Sequence, residues 1–188
     1  MRENILARLS IVAAIGAGIG FLVGSRMVKT YDWRSEWLIP ASVPLAYEAM
    51  TSKEALRQWW PSMELVEYDE GDEIRVGSEV SFRVHQAPRV AHLAPPFNIH
   101  CVYTDVEPQR RLRQVVTGDL SGVLETLFRE DAEESGTRVR FNWYVRVTNP
   151  ILNALGYVAE PVYRHSHDTV MQEGERGLGE YCARRSGK

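Results

Sequence analysis

A chain of 188 residues with 44% hydrophobic side chains can bury a sizeable core in one domain plus an appendage, which excludes general disorder. The formal charge is −3, but setting aside Arg2, Arg8, Arg26, Lys29 and Glu3 leaves 18 basic and 24 acidic side chains from Tyr31 onward, a body of −6. Such a body offers no field for a phosphate backbone, so nucleic acid is not an expected partner.

Leu9 to Gly24 (LSIVAAIGAGIGFLVG) carries no charge, and reaching back to Ile5 gives twenty residues interrupted only by Arg8. Twenty helical residues span roughly 30 Å, the hydrocarbon thickness of a bilayer, and an arginine near one end can snorkel. Residues 5–24 therefore read as a single membrane-spanning helix. A cleaved signal peptide is the alternative, with Arg2 and Arg8 as its basic region and Val23-Gly24-Ser25 as a small-residue exit. Orientation is not legible, because Arg2 and Arg8 on one side face Arg26, Lys29 and Arg34 on the other. Gly16-Ala17-Gly18-Ile19-Gly20 resembles the start of a dinucleotide fingerprint, yet Phe21 stands where its third glycine belongs, and no nucleotide cofactor is expected. Gly16, Gly20 and Gly24 share a helical face that permits a weak homodimer. The division is thus an anchor or signal peptide with linker over 1–30 and one domain over 31–188.

Within the body, Trp33, Ser35, Trp37 and Ile39 alternate with polar neighbours up to Pro40, a first strand. Ser42 with Pro44 opens one short helix, a second runs from Ser52 to Trp59, and Pro61 ends it. Strands are then expected over 63–68, 78–85, 97–106, 111–117, 123–129 and 137–147, bounded by turns such as Glu70-Gly71-Asp72 and Gly118-Asp119, an antiparallel meander. In the last strand Val139, Phe141, Trp143, Val145 and Val147 share one face, and Arg138, Arg140, Asn142, Tyr144 and Arg146 the other. A long helix from Pro150 to about Arg185, kinked at Pro161, is the only element able to cover the aromatic face. Tyr163, His167, Val170, Gly174, Leu178 and Tyr181 recur every three or four residues and form its sheet-facing stripe.

Trp37-Leu38-Ile39-Pro40-Ala41, Trp59-Trp60-Pro61, Val116-Thr117-Gly118-Asp119-Leu120-Ser121-Gly122, His167-Asp168-Thr169-Val170-Met171 and Gly174-Glu175-Arg176-Gly177-Leu178 resemble, in that order, the polyketide cyclase/dehydrase and lipid-transport branch of the START-like, or SRPBCC, superfamily. The resemblance covers about Asp32 to Leu178. It implies an α+β helix-grip fold, a curved antiparallel sheet around a long C-terminal helix, here preceded by the N-terminal transmembrane helix. It also implies a cavity for an apolar or amphipathic molecule. The connection from Gln86 to Pro96 is longer than the usual hairpin and is a candidate lid, or else a disordered surface loop.

The expected cavity lining is Trp59, Trp60, Phe82, His100, Phe141, Trp143, Tyr163, His167, Val170, Met171 and Gly174, with Gly174 and Gly177 giving space that Trp143 and Phe141 frame. His167 is either a structural histidine bonded to a strand carbonyl or a cavity-lining donor and acid/base candidate. His165 and His167 point about 200° apart on a helix, so no metal is expected. Asp168 pairs with Arg164 across one turn, and Arg113 is placed on the outer face. Cys101 and Cys182 lack metal-ligand spacing, and sequence does not decide whether they pair. No triad, carboxylate pair or phosphate loop is present. The expected function is membrane-tethered binding or transport of a hydrophobic small molecule or lipid, without cofactor; the alternative is a polyketide cyclase/dehydrase-like enzyme using His167.

Overall fold

The computed structural model describes residues 28–68, 73–88, 91, 95–158 and 160–187. The expected membrane segment, its glycine face and much of the Gln86–Pro96 connection lie outside these residues. Among the described residues no helix is long and apolar enough to cross a membrane.

Strand β1 (Thr30–Ile39) leads into two short helices, α1 (Val43–Thr51) and α2 (Lys53–Trp59). The chain then runs through β2 (Met63–Tyr68), β3 (Glu79–Val84), β4 (Phe97–Glu107), β5 (Arg111–Gly118), β6 (Leu120–Asp131) and β7 (Gly136–Val147). It closes with α3 (Pro150–Val158) and α4 (Glu160–Ser186). The seven strands form one antiparallel sheet in the order β1-β7-β6-β5-β4-β3-β2. The expected meander is therefore present from β2 to β7, and the two short helices carry the chain from one edge of the sheet to the other. With α4 against it, this is the α+β helix-grip architecture.

The alternation in β7 survives folding: Val139, Phe141, Val145 and Val147 are buried, while Arg140, Tyr144 and Arg146 are exposed. On the outer face Glu36 of β1 accepts from Arg138 Nη1 at 2.7 Å and from Arg140 Nη2 at 2.8 Å. The Arg138 guanidinium, then that of Arg140, holds the Glu36 carboxyl below its ordinary range. Exposed pairs of this kind add little stability.

The terminal helical run is described as α3 and α4, residue 159 between them lying outside the described residues, and Pro161 is the second residue of α4. Two expectations need correction. Ser42 stands at the N-cap of α1 but makes no side-chain cap bond, whereas Ser52 Oγ accepts from Ala55 N at 3.4 Å at the start of α2. Arg164 bonds Glu160 at 2.9 Å rather than Asp168, whose carboxylate meets His167 instead.

The α3–α4 corner is tied to the start of the sheet by Lys29. Its backbone N–H donates to Asn153 Oδ1 at 2.7 Å and its Nζ meets Glu160 Oε2 at 2.5 Å. The hydrogen bonds from Lys29, then from Arg164, hold the Glu160 carboxyl low.

Candidate functional site

Beneath α4 the sheet encloses a cavity of about 160 Å³. Its floor is made by inward residues of β3 to β7, among them Phe82, Ile99, Val116 and Phe141. One wall is an aromatic ladder: Tyr31 stacks on Trp33 at 4.7 Å, Trp33 lies 5.5 Å from Trp143, and the His167 ring stacks on Trp33 at 4.1 Å. Trp59 and Trp60 close the opposite end, stacked on each other at 5.1 Å. Among the described residues the lining holds no Lys, Arg, Asp or Glu.

Of the expected lining residues, Trp59, Trp60, Phe82, Phe141, Trp143, Tyr163, His167, Val170 and Met171 border this cavity, and His100 and Gly174 do not. His100 points out of the sheet, where its ring nitrogens meet Ser81 Oγ at 3.0 Å and Glu79 Oε2 at 3.3 Å; its neighbours Ile99 and Cys101 take the inner face. Gly174 gives no space to the cavity. A Cβ there would stand 2.7 Å from both Trp37 and Trp60, and one at Gly177 would stand 1.9 Å from the Trp59 carbonyl oxygen. Both glycines let tryptophans seat against the helix.

His167 is not held by a strand carbonyl. Its side chain is 13% exposed, and Nδ1 lies 3.2 Å from Asp168 Oδ1. Burial lowers its pKa below the ordinary 6.5, only partly opposed by the Asp168 carboxylate. The folded state thus resists protonation: stability is fully present above pH 6.5 and falls as the pH drops from there toward the folded value, because the unfolded imidazole takes its proton first. His167→Gln should flatten that part of a plot of urea midpoint against pH; an unchanged slope would assign the acid sensitivity to another group.

The two cysteines are free and buried. Burial pushes the Cys101 thiol, in the cavity wall, up to about 12 and the Cys182 thiol to about 11, so neither is a nucleophile near neutral pH. Among the described residues no group of three His, Cys, Asp or Glu could hold a metal ion. Arg113 lies exposed on the outer face.

The sequence model of the Activator of Hsp90 ATPase homolog 1-like protein family matches residues 40–174, which spans α1 to the middle of α4 and most of the cavity wall. The chain belongs to this family. Activator of Hsp90 ATPase homolog 1-like domains have the START-like/SRPBCC fold, so the superfamily reading of the sequence holds. Solved structures agree in fold. A protein from Thermus thermophilus is 17% identical with TM-score 0.63, over 84% of this chain and 100% of that one. One from Rhizobium leguminosarum is 19% identical with TM-score 0.60, over 84% and 97%. One from Geobacillus kaustophilus is 8% identical with TM-score 0.58, over 80% and 96%. At these identities the likeness shows the fold alone. No curated protein matches the chain in sequence.

Within this family fold, the sequence reading misses Tyr31, Trp33, Gln86 and Ser166, all in the cavity wall. Tyr31 and Trp33 have the same parity as Trp37 and Ile39, so extending the alternation would find them. Gln86 and Ser166 carry no local signal. Ser166 Oγ donates to Gln86 Oε1 at 2.9 Å and accepts from Ala87 N at 3.2 Å, contacts between residues some eighty positions apart.

Proposed function

We propose that this Activator of Hsp90 ATPase homolog 1-like domain binds a small hydrophobic molecule in the cavity between α4 and the sheet. The observation that carries the reading is the cavity wall, aromatic and aliphatic apart from a few polar groups and, among the described residues, without a Lys, Arg, Asp or Glu. A cavity of roughly 150 Å³ accepts a benzene-sized ring and stays dry when lined by apolar groups, whereas drug-sized sites run from roughly 300 Å³ upward. At about 160 Å³ the site suits a one-ring molecule or a short chain. Full-length protein should take up toluene at one saturable site; heats that never saturate would sink the proposal.

The cyclase/dehydrase-like reading retains one support, His167 in the wall. Its ring is stacked on Trp33, its Nδ1 is engaged by Asp168, and among the described residues no carboxylate or amine lines the cavity beside it. Binding is the better supported function.

We further propose that residues 5–24 tether the domain to a membrane. Their apolar length, broken only by Arg8, supports this, and β1 follows soon after as the first strand of the domain. Full-length protein in membranes should resist carbonate extraction. A mature product beginning near Arg26 would show cleavage instead.

A further inference from the structure

Most polar groups in the cavity wall have partners within the protein. Trp59 Nε1 donates to the Ala49 carbonyl at 2.8 Å, Trp60 Nε1 to the Val170 carbonyl at 3.0 Å, and the Tyr163 hydroxyl to the Leu152 carbonyl at 3.0 Å. Three groups do not. Trp143 Nε1, Gln86 Nε2 and the Tyr31 hydroxyl are shielded from solvent and without any hydrogen-bond partner among the described residues. Buried polar atoms are normally satisfied, so such orphans on one cavity ask for an occupant, Trp143 Nε1 and Gln86 Nε2 above all.

Both are donors. An indole N–H can only donate, and a carboxamide nitrogen offers two N–H groups. Ser166 Oγ accepts from Ala87 N–H at 3.2 Å and donates to Gln86 Oε1 at 2.9 Å, and Gln86 Nε2 is the amide atom left without a partner. The two donors border the same cavity. The Tyr31 hydroxyl is also unpartnered but abuts α3, 3.0 Å from where a Cβ on Gly156 would stand, and is not needed here.

What these donors accept is limited by charge. Among the described residues a carboxylate in the cavity would meet no Lys or Arg, and an ammonium no Asp or Glu, and the lining His85 is engaged by Glu64 Oε2 at 3.1 Å. A buried ion without a counter-charge is expensive, whereas a neutral acceptor needs only the donors already present.

We infer that the ligand of this cavity is an uncharged carbonyl compound, a ketone, aldehyde, ester or amide on a one-ring or short-chain apolar body, whose oxygen accepts from Gln86 Nε2 and Trp143 Nε1. The inference rests on the binding function proposed above and adds its substrate class. His167 does not supply a cation for a carboxylate at neutral pH, since burial lowers its pKa.

Acetophenone and α-methylstyrene have the same shape and differ in C=O against C=CH₂. Their affinities for full-length protein are measured by titration at pH 7, together with those for Gln86→Met and Trp143→Phe. Comparing the ketone-to-alkene affinity ratio between proteins cancels the different water solubilities of the two probes. Each variant should lower that ratio by about threefold to tenfold, the equivalent of one neutral hydrogen bond. Two variants at separate elements keep the test open if one fails to fold. A ratio unchanged in both, with both probes still binding, overturns the carbonyl assignment and leaves the apolar cavity standing. Binding of neither probe to the parent protein removes the binding function and the assignment together. Benzoate binding as tightly as acetophenone overturns the neutrality of the ligand.

Discussion

Gly177→Ala should be severely destabilising, by about 3 kcal/mol or more, at the upper end of what overpacking costs. The reason is the nature of the obstacle. A Cβ at 177 would stand 1.9 Å from the carbonyl oxygen of Trp59, a backbone atom at the end of α2 that cannot rotate away. Relief requires α4 to move off α2, which would disturb the seat of Trp59, a fully buried ring in T-shaped contact with Trp37 at 6.2 Å. At about 2–4 °C per kcal/mol for a domain this size, the melting temperature should drop by roughly 6–12 °C. Gly179→Ala is the matched control. The new methyl there meets only Pro40 Cδ at 3.6 Å, and alanine is the better helix former, so stability should hold or rise by roughly 0.5–1 kcal/mol. Equal melting temperatures for the two variants would contradict the packing described for α4 on α2.

Val170→Trp should empty the site by filling it. Val170 lies on α4 in the cavity wall, and its carbonyl keeps the bond from Trp60 Nε1 whatever its side chain. An indole in place of an isopropyl group occupies the space a one-ring ligand would take. The affinity for toluene should then fall by roughly tenfold to a hundredfold, the equivalent of the roughly 1.5–3 kcal/mol that burying such a ring contributes. Overpacking cost should be small, because the added ring enters a void. A variant that melts near the parent temperature and still binds toluene as before would place the ligand elsewhere.

How much of this is legible in the sequence depends on whether a feature is local. Met63–Tyr68 has the expected bounds, and β7 shows the expected faces, because alternation against one buried side is a period-two signal. The start of β6 is read three residues late from sequence, since Ser121-Gly122 imitates a turn while pairing with Arg146 and Val145. Sequence alone turns His100 inward because β4 has apolar residues on both faces, Ile99 and Cys101 against Val102, and alternation does not say which face is covered. Gly174 falls on the expected side of α4 with the opposite consequence. An absent side chain either leaves a void or admits a neighbour, and only the positions of Trp37 and Trp60 decide between them. The Gln86–Ser166 pair, 80 residues apart, has no local signal. The cavity's apolar walls are readable, and its polar end is not.

The most direct measurement is a calorimetric titration of the full chain with toluene at several temperatures. An enclosed apolar cavity of about 160 Å³ predicts a single saturable site whose binding enthalpy becomes more negative on warming, the negative heat-capacity change of apolar burial, with the signal lost in Val170→Trp. Heats without saturation in the parent protein, or an identical isotherm in the filled variant, would contradict a ligand-binding cavity between α4 and the sheet.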